Sequence, residues 1–130
     1  MTFPLTGLYT GLLGLVMIVL QVLVVIARAR HDTLFGDGGK MEVMLPMRRH
    51  GNFIETVPMA LIALGMAEAQ GLGTTWLHIS GALLILSRLI HPFGLSQSRA
   101  ALALRVTGTS GTWIATLIPI AALLGAGFPA

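Results

Sequence analysis

Hydrophobic residues run along this chain in long blocks, and the polar interruptions between the blocks are few. From Met1 to Ala27 no side chain carries a formal charge, and the same is true from Val106 to Ala130. A helix needs about 20 predominantly apolar residues to cross the hydrocarbon core of a bilayer. Four stretches meet or approach that length, at about 5–28, 48–70, 74–91 and 102–125. Their links are short, and only Gly71-Leu72-Gly73 separates the second from the third. Short links make successive helices antiparallel neighbours. The pattern therefore predicts an all-α integral membrane protein, a single four-helix up-down bundle over residues 1–130. The first block lacks a basic leader and continues to Arg28 without a clear cleavage site, so it reads as a retained span rather than a signal peptide.

Composition supports that class. The chain is 55% hydrophobic and 10% charged, against about 25% charged in soluble domains, and its mean hydropathy is +0.84. Charge placement then orients it. All 8 Lys and Arg residues fall between Arg28 and Arg49 or between Arg88 and Arg105. Basic residues in short loops stay on the cytoplasmic side. The 31–47 and 92–101 loops are thus expected in the cytoplasm, with both termini in the periplasm or a lumen. The net charge of +3 lies along a membrane edge, where it meets anionic lipid head groups, and no nucleic-acid motif accompanies it. With no cysteine in the chain, any thiol chemistry has to draw its sulfur from a ligand.

Smaller signals refine the elements. Gly36-Asp37-Gly38-Gly39 predicts a turn, and Pro46 suits the start of the second helix. Pro58 and Pro119 fall inside helices, while Pro92 is expected to end or bend the third. Gly7, Gly11 and Gly14 line up as small residues that suit close helix packing. Trp76 fits an interfacial anchor, and Trp113 lies deep enough to be a packing residue. His78 is expected to bond across helices, with His31 and His50 at the surface. No histidine pair has metal-ligand spacing, so no metal is assigned.

Chemistry concentrates at the basic end. Arg48, Asn52 and Glu55 are spaced i, i+4, i+7 and share one stripe of the second helix. Glu55 is a carboxylate below the head groups, at a cost of about 2.5–3.5 kcal/mol on insertion scales. That cost predicts an inward orientation with a cationic partner, for which Arg48, Arg88 and Arg105 are the candidates. Because the helices alternate direction, Arg88 near the end of the third and Arg105 at the start of the fourth reach the same face. Two readings follow: a polar pocket for a ligand bearing carboxylates and an amine, or a buried ion pair that sets helix register. Arg28, Arg30, Lys40, Arg49 and Arg99 read as snorkelling or lipid-facing charges.

The run Arg48-xxx-Asn52-xx-Glu55-xx-Pro58, on the second of four short-looped helices, resembles the MAPEG family, the membrane-associated proteins in eicosanoid and glutathione metabolism. Arg88 and Arg105 also match family positions, and the likeness extends over nearly the whole chain, closest to the small bacterial branch. The resemblance implies a homotrimer that binds glutathione as co-substrate between subunits. Arg48, Asn52 and Glu55 would hold its polar ends, Arg88 would contact a carboxylate or brace Glu55, His91 would also bind the ligand, and Arg28 or Arg30 would come from the adjacent subunit. Arg105 would be the thiol-activating, catalytic residue. Thr56, His91 and Leu95 stand where the eicosanoid enzymes carry tyrosines, and the only tyrosine is Tyr9.

A guanidinium within about 4–6 Å lowers the pKa of an acidic group by about 1–3 units, enough to make a thiol with a pKa of about 8.5 nucleophilic at neutral pH. The expected activity is transfer of that thiolate to, or reduction of, a lipophilic electrophile arriving through the bilayer. Two other functions compete. A scaffold of the same fold would hold other membrane proteins without catalysis. A small proton-coupled multidrug exporter would need an intramembrane carboxylate, typically in the first helix, where this chain has none.

Overall fold

The computed structural model describes residues 2–96 and 98–125. Four α-helices and one short 3-10 turn make up its regular structure: α1 Pro4–Arg30, α2 Met41–Ala69, α3 Thr74–Gly94, the turn Arg99–Ala101, and α4 Leu102–Leu123. The chain is all-helical over the described residues. Neighbours alternate in direction, so the end of α1, the start of α2, the end of α3 and the start of α4 gather at one basic end. Gln97, in the loop expected over 92–101, lies outside the described residues, as do Met1 and residues 126–130.

The helices differ from expectation mainly at that end. α2 begins at Met41 rather than near residue 48, so Pro46 is an interior residue and not a start signal. Met41 to Leu45 includes good helix formers, Glu42 places a negative charge in the first turn where the helix dipole favours it, and Val43 is completely buried. The loop shrinks to residues 31–40. Within it the predicted turn is present, with Gly36, Gly38 and Gly39 at positive φ and the Asp37 carboxylate accepting from the Gly39 amide at 2.9 Å. α3 carries on past Pro92 to Gly94.

Three helical segments are long and apolar enough to cross a membrane: Pro4–Arg30, Thr74–Gly94 and Arg99–Leu123. α2, expected as a fourth span, is not among these three, and it carries Glu42, Arg48, Arg49, Glu55 and Glu68. Its length is ample, since 29 residues extend about 43 Å at 1.5 Å per residue. The core is a band of Leu13, Leu20, Phe53, Val57, Ala60, Leu84 and Ala115, with a second group of Tyr9, Leu64 and Leu77 nearer the opposite end. The outer surface of α1 is mostly apolar, from Leu8 and Leu15 to Val25, as lipid contact requires, with Thr10 and Gln21 as the exposed polar residues of that stretch.

α3 and α4 approach through glycines. A side chain on Gly94 would strike the backbone of Arg105, one on Gly111 the Ser87 hydroxyl, and one on Gly108 would lie 2.8 Å from the His91 Cβ. Gly7, Gly11 and Gly14 do not pack in this way: nothing stands within 4 Å of a Cβ at any of them. Their small-residue stripe faces outward from the chain. Trp113, expected as a packing residue, is 63% exposed.

Proline costs are met locally. Pro119 has no N–H, which strips the Ala115 carbonyl one turn earlier of its helical donor. The buried Ser80 hydroxyl donates to that carbonyl at 2.7 Å, the kind of compensation that lets proline persist in a membrane helix.

Candidate functional site

Arg88 is the centre of the polar structure in the bundle. It sits two turns before the end of α3 and is 2% exposed. Its Nη1 donates to Asn52 Oδ1 at 2.8 Å and, more weakly, to Thr56 Oγ1 at 3.3 Å, both on α2. Its Nη2 donates to the Gly108 carbonyl on α4 at 3.0 Å. One guanidinium thus ties three helices together. Thr56 can accept because its own hydroxyl proton goes to the Asn52 carbonyl at 2.8 Å. Gly108 can serve because it lacks a side chain, which lets α4 close on His91.

This arrangement removes Arg88 from the three candidate partners of Glu55. Every acceptor on Arg88 is a neutral oxygen, and Glu55 is exposed, with no hydrogen bond or ion pair among the described residues. Arg48 and Arg105 are exposed as well. The anticipated pocket, in which Arg48, Arg88 and Arg105 surround a buried acid, is therefore not closed within one chain. The second-helix stripe divides by orientation: Asn52 turns inward to Arg88, while Arg48 and Glu55 face out of the bundle. His91 is 3% exposed beneath α4, on the same inner face as Arg88.

The arginines of α1 lie at the same end. Arg28 is half-buried and its Nη2 reaches the Met47 sulfur at 3.6 Å. Arg30 is exposed and, with Glu42 and Arg49, edges a cavity of about 220 Å³ between α1 and α2. Arg49, expected to snorkel, instead donates from Nη2 to the Leu95 carbonyl at 2.9 Å, joining α2 to the end of α3.

Besides Ser80, three residues with clear roles escaped the sequence reading. Thr56 and Arg49 are two. The third is Glu68, whose two carboxylate oxygens accept from the Leu5 amide at 3.0 Å and the Thr6 amide at 2.8 Å. Phe3 sits at the N-cap of α1 and offers no side-chain acceptor, so a carboxylate from the far end of α2 caps the helix in its place. A signal existed: Glu68 is the one charged residue in the sequence remote from the basic end. His78 behaves as expected, its Nδ1 2.8 Å from the Tyr9 hydroxyl. Among the described residues, no cluster of His, Asp and Glu suits a metal.

An apolar antiparallel bundle with a guanidinium sequestered between three of its helices, and an Arg-Asn-Glu stripe on the second, defines a class of small polytopic membrane protein. The chain belongs to the MAPEG family, whose pattern it matches over residues 6–125. It is similar to the inner membrane protein YecN of Escherichia coli strain K12, at 33% identity over 92% of this chain and 89% of that protein. The same protein from a second Escherichia coli strain matches equally, at 33% identity. No solved structure matches the chain at a significant level.

Proposed function

We propose that this protein is a glutathione-dependent, transferase-like membrane protein that conjugates or reduces lipophilic electrophiles, with a site completed by a neighbouring copy in a homotrimer. The observation that carries the reading is the outward orientation of Arg48 and Glu55. Charges on a helix of a membrane bundle are costly against acyl chains, and a second copy of the chain laid over this stripe removes that cost. Arg48 presents a planar fork suited to a carboxylate, and Glu55 offers an anion to the ammonium of the tripeptide. Arg88 acts as a positioning residue: by holding Asn52 it sets one member of the stripe. Arg28 or Arg30 reaches the cleft from the adjacent copy, and the loops at the basic end face the cytoplasm.

Arg105 is the residue assigned to the thiol. It lies in the first turns of α4, and its backbone is held against Gly94, which fixes where its exposed side chain begins. The bound thiol releases its proton to water, the guanidinium stabilises the thiolate, and the sulfur bonds to an electrophilic carbon supplied from the bilayer as that carbon's leaving group departs with the bonding electron pair. A titration of the detergent-solubilised protein with glutathione tests this directly. Thiolate absorbance is expected in the parent and is expected to vanish in Arg105→Leu with the assembly unchanged. A second reading, a non-catalytic scaffold, is favoured by the internal satisfaction of Arg88 and by Leu95 standing where family enzymes carry tyrosine. Absence of any thiolate signal at millimolar glutathione would select it.

A further inference from the structure

α4 begins without a side-chain cap at Ala101, and its first turn is placed by its approach to α3. The end of α3 is held in turn by α2. Two braces cross the basic end in parallel. The inner one runs from Asn52 through Arg88 to the Gly108 carbonyl. The outer one starts at Arg49, one turn before Asn52 on α2. Its Nη2 donates at 2.9 Å to the carbonyl of Leu95, the C-cap residue of α3. The last carbonyls of a helix have no partner within it, and a cation there also meets the negative end of the helix dipole. Gly94 precedes Leu95, and a Cβ on it would strike the amide nitrogen and Cα of Arg105. Arg49, the Leu95 carbonyl, Gly94 and the Arg105 backbone thus form one line of contacts from α2 to α4.

We propose that Arg49 is a positioning residue for Arg105. By fastening the corner at Gly94 and Leu95 to α2, it sets where Arg105 stands, and hence the distance from that guanidinium to a thiol bound in the cleft. This role rests on the glutathione reading and adds to it a residue that does not touch the ligand. Distance is what the chemistry requires. A cation shifts a neighbouring pKa strongly only within about 4–6 Å, and the attraction falls as the separation grows. The Arg105 side chain is exposed and makes no hydrogen bond among the described residues, so its backbone decides where it can reach. The inner brace does not suffice. It grips α4 at Gly108, one turn further on, and a helix held at one point pivots about it. The outer brace supplies the second point and fixes the direction of the first turn.

The test reads the apparent pKa of bound glutathione from thiolate absorbance against pH, on the full chain in detergent at saturating ligand. Arg49→Met keeps the apolar stem and loses the donor. In it the thiol pKa is expected to rise by about one unit, a tenfold fall in the ratio of thiolate to thiol at fixed pH, with the assembly and the glutathione Kd unchanged. Arg49→Lys still brings one donor to the carbonyl and should recover most of the shift. Gly94→Ala separates position from charge. It removes no cation, yet it should raise the pKa as well, and the double variant should be no worse than the larger single shift. A thiolate signal in the parent with an unmoved pKa in Arg49→Met overturns the proposal. Additive shifts in the double variant overturn it too, because Arg49 would then act through its charge alone. Should Arg49→Met fail to assemble, Arg49→Gln, too short to reach the Leu95 carbonyl, is read in its place. Absence of thiolate in the parent overturns the glutathione reading and this role together, so the two failures are told apart.

Discussion

At the scale of single residues, the bundle depends on hydrogen bonds that each answer a specific local deficit. Arg88 reaches acceptors on α2 and α4 at once, which a lysine cannot do, having no planar fork. Arg88→Lys should destabilise the chain by about 1–3 kcal/mol, the range for losing charge-assisted bonds in a buried setting, read as a lower unfolding midpoint in a detergent titration. Ser80 answers the carbonyl that Pro119 leaves open. Ser80→Ala should therefore cost about 1–3 kcal/mol by stranding a buried acceptor, and in the Pro119→Ala background the loss should shrink, because the helix regains its own donor. That double-mutant comparison separates a compensating role from ordinary packing.

Elements are placed by features at their ends and by their closest approaches. α1 lacks a capping residue of its own and takes Glu68 from α2. Glu68→Ala should cost about 0.5–2 kcal/mol, the usual worth of an N-cap, and hydrogen exchange should rise first in the opening turn of α1. α3 and α4 meet where Gly94 passes the Arg105 backbone. Gly94→Ala forces backbone apart and is expected to cost about 1–3 kcal/mol, as overpacking does, and it should also displace Arg105. Gly11→Ala is the contrast. Nothing stands near its Cβ, and alanine has the better helix propensity by about 1 kcal/mol, so the fold of the single chain should be unharmed.

The whole molecule presents two unlike surfaces. Most of the outside is apolar and suits lipid, while Arg48, Glu55 and Arg105 break that surface near the basic end. The proposed trimer accounts for the charged patch, and the proposed orientation puts the loops at the basic end in the cytoplasm. Leu34 is 96% exposed in the loop between α1 and α2, and the chain has no cysteine of its own. A Leu34→Cys variant should resist a membrane-impermeant thiol reagent in intact cells and react in inverted vesicles. Labelling in intact cells would reverse the orientation.

What residue order alone determined was the class. Long uncharged blocks dictate membrane helices because the bilayer penalises every unpaired polar group, and the three-residue link at residues 71–73 dictates antiparallel neighbours. The family likeness, too, was legible in Arg48, Asn52, Glu55 and Pro58, because helical spacing puts those residues on nearby faces. Tertiary structure decided which way each of them turns. Spacing places Asn52 and Glu55 on one stripe, but only the approach of α3 and α4 delivers Arg88 to Asn52, Thr56 and the Gly108 carbonyl and leaves Glu55 outside. The cap from Glu68 and the service of Ser80 to Ala115 were hidden for the same reason. Each is a bond between residues far apart in the chain, and periodicity within one helix carries no information about the partner that another helix brings.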